Sequence, residues 1–398
     1  MIDIFESTAQ LRPEAVFFTA VDRRGNETAY TYRQARLIAS QLARRLRDKG
    51  VFPGDVVAVD LPNGPMYVFL ALAAATGIRP GGAESSADRC REAHARAGME
   101  RAGLRVAYTV DAAGEPKLFE AVCNSLLRNE RAGRVDDSLG GSVEDAIHFA
   151  ERAAHVFDSS HRALIMFTSG TTGKPKAAEL TWGNLVEASK ASNRVLSGRV
   201  RGRGLWQAVL PFFHVGGFQV LVRSVCSRWP LRIYERFDAA AVLRDAEVMH
   251  ATHISVVDKM LQDMLNARPN ALSQYECVAA RRRPAERETV ARALEAEARV
   301  YASYGMTETS SQVANMLITP QFTGGMRLLP GYSARIVEPD AEGFGRLALR
   351  GPGVFGGYAN ARAPSPWTAS SSRAIRRHFT TAAFMCASAP ATCSSPAA

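Results

Sequence analysis

Lysine is scarce in this chain: of 49 basic residues among 398, only six are lysine and the other 43 are arginine. Cysteine is scarce as well. Cys90, Cys123, Cys226, Cys277, Cys386 and Cys393 form no CxxC pair and no histidine-spaced zinc pattern, so a reduced, cytoplasmic chain is expected. The start, Met1-Ile2-Asp3-Ile4-Phe5-Glu6, lacks the basic and apolar regions of a signal peptide. The longest apolar run, Met66 to Ala75, is half of the roughly 20 residues a membrane span needs. Neither disorder nor a collagen-like repeat fits 46% hydrophobic and 22% charged residues, and the length allows two or three domains. The net charge of +10 would suit an anionic partner, nucleic acid or a membrane surface, unless it has a local origin.

What is present is an alternation of periodic helices and short β-branched strands, the pattern of an α/β fold with largely parallel sheets. Thr31 can cap a helix with Ala35, Ile38, Leu42 and Leu46 on its inner face and Gly50 as its stop. A strand over Val56 to Leu61 and a helix after Pro62-Asn63-Gly64 follow. A second series begins with a strand over Ala163 to Phe167, a polar loop, a helix from Thr181, a strand over Trp206 to Pro211 and a helix after Gly217. It continues with a strand at Leu231 to Tyr234, a helix capped by Asp238, a strand at His253 to Val256, a helix to Leu265 and a strand at Arg299 to Ser303. Two last strands, Ala334 to Val337 and Arg346 to Leu349, flank a turn-rich segment. Residues 364–398 hold no acidic residue and no usable period, the composition of a disordered tail.

The chemistry concentrates in Thr168-Ser169-Gly170-Thr171-Thr172-Gly173-Lys174-Pro175-Lys176, where nine residues carry four hydroxyls, two glycines and two lysines. Such a loop can wrap a polyphosphate: glycines let the backbone approach, hydroxyls and amides donate, and lysine neutralises charge. It is not a Walker A loop, because Pro175 follows Lys174 where Ser or Thr and a helix start are required.

With Met166 and Phe167 in front, this string resembles the phosphate loop of the AMP-forming acyl-CoA synthetase and adenylating-enzyme superfamily. Further motifs of that family follow in order. Leu210-Pro211-Phe212-Phe213-His214-Val215-Gly216-Gly217 resembles the segment bordering the acyl pocket, and Tyr301-Ala302-Ser303-Tyr304-Gly305-Met306-Thr307-Glu308-Thr309 the nucleotide and magnesium motif. Gly351-Pro352-Gly353-Val354-Phe355-Gly356-Gly357-Tyr358 is similar to the glycine-rich stretch before the ribose-binding region, and the likeness covers about residues 25–363. The details are most similar to the o-succinylbenzoate-CoA ligases of menaquinone synthesis. Fatty-acid and aryl-acid ligases, carrier-loading adenylation units and a noncatalytic nucleotide-binding remnant stay open.

The resemblance implies two sheet-and-helix subdomains, part of a β-rich one, and a missing small C-terminal domain. It also implies a reaction: a carboxylate attacks the α-phosphate of ATP, pyrophosphate leaves, and a thiol, that of coenzyme A, displaces AMP. Negative charge must be neutralised on both phosphate positions, by donors, lysine and Mg²⁺. Thr168, Ser169, Gly170, Thr171, Thr172, Gly173 and Lys176 would cradle the β- and γ-phosphates. Tyr304, with Gly305, would stack on adenine, Thr307 would bind the α-phosphate, Glu308 would hold Mg²⁺, and His214 would border the acyl pocket. Taken singly, each has a structural alternative: His214 and Tyr304 fit core packing, and Thr307-Glu308 fits a helix start.

The pattern breaks after Ala363. The family's ribose-binding aspartate, hinge and catalytic lysine are absent from the chain as written. Reading the tail shifted by one base permits FTVDGFFLTGD from Pro364, close to the family's ribose-binding string. Residues 76–99 and 279–287 show similar, weaker signs of a shifted frame. The three stretches contribute +1, +3 and +3, seven of the ten net charges, so the basic balance is local and no nucleic-acid partner is expected. Little or no ligase activity is expected of the chain as written. Sequencing the coding DNA across the three junctions tests this origin: one-base shifts should restore family-like codons, and their absence from every frame would contradict it.

Overall fold

The computed structural model describes residues 1–52, 54–75, 106–111, 159–168, 176–196, 204–281, 287–322, 325–341 and 344–359, with the pairs 368–369, 375–376 and 384–385. Helix α1 (Ile2–Leu11) leads into a hairpin of β1 (Val16–Val21) and β2 (Glu27–Thr31), and then into α2 (Tyr32–Asp48). Thr31 caps α2 reciprocally: its hydroxyl accepts the Gln34 amide at 3.2 Å while Gln34 Oε1 accepts the Thr31 amide at 3.0 Å. The expected inner face of Ala35, Ile38, Leu42 and Leu46 is at most 2% exposed. Next come β3 (Val56–Asp60), α3 (Pro65–Ala75) and β4 (Val106–Asp111), the two strands pairing in parallel.

Strand β5 (Arg162–Thr168) turns back as β6 (Lys176–Thr181), a strand whose short Lys-Ala-Ala-Glu-Leu run gave no clear alternation in the sequence. Thr181 and Asn184 then cap α4 (Trp182–Leu196) by exchanging bonds of 3.0 and 3.1 Å. The alternating series follows: β7 (Trp206–Ala208), α5 (Val215–Ser227), β8 (Leu231–Tyr234), α6 (Ala239–Met249), β9 (His253–Val257), α7 (Asp258–Ala267), β10 (Cys277–Arg281), α8 (Arg287–Glu295) and β11 (Val300–Tyr304). Asp238 caps α6 as expected, accepting the Ala241 amide at 2.7 Å. The chain ends in strands β12 (Ala314–Leu317), β13 (Gly325–Leu328), β14 (Ser333–Val337), β15 (Phe344–Arg350), β16 (Gly357–Tyr358) and three two-residue strands, β17 (Thr368–Ala369), β18 (Ile375–Arg376) and β19 (Phe384–Met385).

The α/β expectation holds. Ten strands form one sheet in the order β19-β13-β12-β11-β10-β9-β7-β8-β1-β2. From β11 to β1 every neighbour is parallel, and antiparallel strands close both ends. Parallel strands covered on both faces are buried along their length, and all four residues of β8 are buried, its Arg232 paired with Glu27 and Asp245. Smaller sheets are β16-β6-β5, β3-β4, and the β14-β15 hairpin joined by β17 and β18. One apolar core gathers Phe5, Phe17, Phe69 and Trp206, a second gathers Leu243, Ile254, Met264 and Val300, and a third patch packs Val56 and Ala58 against Ile165 and Ala177.

Two boundaries differ from the sequence expectation. The strand expected to reach Pro211 stops at Ala208, and the helix expected after Gly217 starts at Val215. The cause is the buried Asn63 side chain, which donates to the Leu210 carbonyl at 2.9 Å and accepts the Phe212 amide at 2.8 Å, folding this segment into a turn. Ala279 and Ala280, within the stretch expected to be aberrant, pair regularly in β10. Residues 282–286, the stretch 76–99 expected to be aberrant and, apart from β17, β18 and β19, the tail 364–398 lie outside the described residues. Among the described residues no helix is long and apolar enough to cross a membrane.

His253 opens β9 fully buried, its ring 4.6 Å from that of Trp206 and 5.0 Å from that of Trp229. Nε2 donates to the Leu196 carbonyl at 3.0 Å, leaving Nδ1 as the acceptor facing the Thr252 hydroxyl at 2.9 Å. Burial pulls its pKa down to about 4, the Leu196 bond opposes this, and Arg223 lowers it further. The unfolded chain therefore takes up a proton below pH 6.5 that the folded chain refuses until near 4, so stability falls across that window. Urea unfolding should show a loss of about 2 kcal/mol between pH 6.5 and 5 that His253→Gln lacks. Parallel pH slopes for the two proteins would contradict it.

Candidate active site

Where β11 ends, Gly305 lets the chain double back on itself. A methyl at this position would overlap the Ser311 carbonyl oxygen, so a side chain is sterically forbidden there. Between them lies a single 3₁₀ turn, Thr307–Thr309, with the Met306 amide donating to the Thr309 hydroxyl at 3.0 Å. Ser310 and Ser311 then adopt left-handed φ values of 53° and 86°, a conformation that side chains disfavour. Neighbouring elements hold them there. Gln219, fully buried in α5, donates to the carbonyls of Leu185 (3.2 Å) and Ser310 (2.9 Å) and accepts from Ser189 at 2.6 Å. The Ser310 hydroxyl donates to the Gly353 carbonyl at 2.8 Å, which ties the turn to the glycine-rich stretch.

Beside this turn stand the ends of the hydroxyl-rich loop. Thr168 and Lys176 are the last facing pair of the β5–β6 hairpin. Ser169, Gly170, Thr171, Thr172 and Gly173 lie outside the described residues. Strand β16 adds to β6 with Tyr358 opposite Ala178, and the Lys176 ammonium sits 5.4 Å from the centre of the Tyr358 ring. The Tyr358 hydroxyl donates to Glu308 Oε1 at 2.8 Å, and the Phe355 amide donates to the Glu308 carbonyl at 2.9 Å. Burial, then the charge and hydrogen bond of Glu308, push the Tyr358 phenol above its ordinary pKa. Residues from three separate motifs therefore meet here.

Among the described residues no group of three or more His, Cys, Asp or Glu side chains could hold a metal. Glu308 supplies one carboxylate beside the loop. That donor set fits Mg²⁺, which takes one or two carboxylates and leaves its other positions to phosphate oxygens and water.

On the same turn opens a small, solvent-connected cavity walled by Gly305, Met306, Ser311 and Gln312 together with residues of β9, β10, β11 and α5. It lies against the carboxyl-terminal halves of β9, β10 and β11. Strand order reverses at β7, with β8 on one side and β9 on the other, and Leu210 just past β7 is in the cavity wall. His214 stands exposed at the N-cap position of α5, its imidazole making no capping bond; its neighbours Val215 and Gly216 line the cavity and the imidazole itself does not.

The sequence analysis missed Arg223. Only 4% exposed, it lines the cavity, with Nη2 3.4 Å from Gln312 Oε1 and the guanidinium 5.9 Å from the Trp206 ring centre. No carboxylate of a described residue pairs with it. Burial draws its pKa down to about 10, which still leaves it cationic at neutral pH. Three donors here, Arg223 Nε, Gln312 Nε2 and Ser255 Oγ, are buried without a partner among the described residues. The available signal was a single arginine within the apolar run Val220-Leu221-Val222-Arg223-Ser224-Val225.

Comparison with known proteins places this geometry. The chain is 33% identical over 215 residues to the 2-succinylbenzoate–CoA ligase of Bacillus mycoides and 31% over 217 residues to that of Enterococcus faecalis, covering 51% and 52% of itself. It spans 44% of the length of each of these relatives. Its fold matches o-succinylbenzoate coenzyme A synthetase from Bacillus subtilis in complex with AMP, with a TM-score of 0.75 at 21% identity over 96% of this chain and 97% of that one. The same enzyme in complex with ATP and magnesium matches at 0.74 and 22%, over 96% of this chain and 78% of that one. The AMP-binding enzyme family matches residues 5–359, through all four motifs, and the chain belongs to that family.

Proposed function

We propose that this chain carries the adenylate-forming site of an AMP-forming acid–CoA ligase, and that its acid is an aryl dicarboxylate of the o-succinylbenzoate kind. The observation that carries the reading is Arg223, a buried cation on the cavity wall with no carboxylate partner among the described residues. An uncompensated buried charge is destabilising, and an acid with a second carboxylate would neutralise it through two parallel hydrogen bonds. Gln312 Nε2 and Ser255 Oγ offer further donors to the same group. A fatty acid would leave all of them unpaired.

The remaining roles follow the family resemblance. Lys176, with Thr168, Ser169, Gly170, Thr171, Thr172 and Gly173, would hold the β- and γ-phosphates of ATP. Tyr304 and Gly305 would border the adenine, Thr307 would donate to the α-phosphate, and Glu308 would hold Mg²⁺. When bound, the ion supplies charge neutralisation on the phosphates. Coenzyme A is proposed as the thiol acceptor because the aligned relatives are CoA ligases. One turn carries Thr307 and Glu308 and also walls the cavity, so the nucleotide and the acid share a boundary.

Binding is the chosen readout because residues 279–287, with four arginines, are expected to slow turnover. By calorimetry with ATP and Mg²⁺ present, o-succinylbenzoate should bind well above benzoylpropionate, which lacks the ring carboxylate. Arg223→Met should weaken o-succinylbenzoate by about 30-fold or more and leave benzoylpropionate within about threefold. The unliganded variant should be at least as stable as the parent, because it removes a buried charge. Equal affinity of the parent for both acids would contradict the proposal.

A further inference from the structure

Glu308 has the metal role in the proposed function, and its carboxylate is held by one neighbour. Tyr358 donates to Oε1 at 2.8 Å, and no other described residue is hydrogen-bonded to that side chain. The phenol is itself fixed from three directions. Its backbone pairs with Ala178 in the β6–β16 ladder, the Phe355 ring packs edge-to-face at 4.8 Å, and the Lys176 ammonium caps its face at 5.4 Å. The Glu308 backbone is anchored separately, through the Phe355 amide at 2.9 Å. Without Tyr358 the main chain would stay in place while the flexible carboxylate arm lost its only tether among the described residues.

A phenol has one proton to donate, so it occupies one carboxylate oxygen and leaves the other available. Groups that hydrogen-bond a ligating carboxylate set its orientation, and their loss typically weakens metal binding by about 10- to 100-fold. We propose that Tyr358 is a positioning residue of the metal–nucleotide site, its hydroxyl holding Glu308 Oε1 so that Oε2 faces the divalent cation that accompanies a nucleoside triphosphate. The proposal rests on the reading of Glu308 as the metal holder. The cation above the ring draws electron density from it and strengthens the O–H as a donor.

The test compares ATP binding in EDTA with MnATP binding by calorimetry, using the parent chain, Tyr358→Phe and Glu308→Gln. Tyr358→Phe removes one oxygen and keeps the ring that packs on Phe355 and Lys176. It should weaken MnATP about tenfold while metal-free ATP stays within about twofold. Glu308→Gln should abolish the advantage of MnATP over ATP. A Tyr358→Phe protein that binds MnATP like the parent overturns the positioning role. So does one that loses affinity equally with and without metal, which would mark a purely structural contact. If Glu308→Gln keeps the advantage of MnATP over ATP, or if the parent shows no metal-dependent difference, the reading of Glu308 itself fails, and the proposal falls with it.

Discussion

The close approach of Gly305 to the Ser311 carbonyl is the constraint on which the site depends. It forces the chain leaving β11 into a turn tight enough to send β12 back beside it, and it leaves two consecutive serines in left-handed conformations. Neither feature is favourable on its own. Both persist because Gln219 and Ser189 satisfy the turn from the helices while Gly353 accepts from Ser310. A half-satisfied version of this buried network would cost more than an apolar core. The network thus ties helix packing to the position of Glu308 on one side of the turn and of Gln312 on the other.

Much of the fold was legible because its signals are local. Thr31 and Asp238 cap the helices they were expected to cap, and the inner face of α2 follows from its spacing. Strands such as β9, with Ile254, Val256 and Val257, stand out as short β-branched stretches between helices. The return strand β6 was not legible: Ala177 and Ala178 are fully buried, yet small residues beside a polar loop carry almost no strand signal. The boundaries of β7 and α5 were set by Asn63, nearly 150 positions away in the chain, and no local pattern encodes such a contact.

The site divides along the same line. Its motifs could be named from residue type and order, since hydroxyls, glycines and lysines in one loop have few other uses. Their convergence could not. Tyr358 stood in a glycine-rich string with no role assigned, and Arg223 sat in a helix to which the sequence analysis assigned no site residue. What distinguishes Arg223 is an unmet electrostatic need, and that appears only once its surroundings are known. Charge was informative at the opposite scale, since the net +10 traced to three short stretches and not to a basic face.

On the proposed reading, one turn would separate a nucleotide side organised by Lys176, Tyr358 and Glu308 from an acid side organised by Arg223 and Gln312. The most direct test is a crystal structure of the chain with o-succinylbenzoate, a nonhydrolysable ATP analogue and Mg²⁺. The account places the ring carboxylate in the cavity within hydrogen-bond distance of Arg223 and Gln312, and the ion on Glu308 across the turn. An acid bound outside the cavity, or one inside it with Arg223 still lacking an anionic partner, would contradict the account.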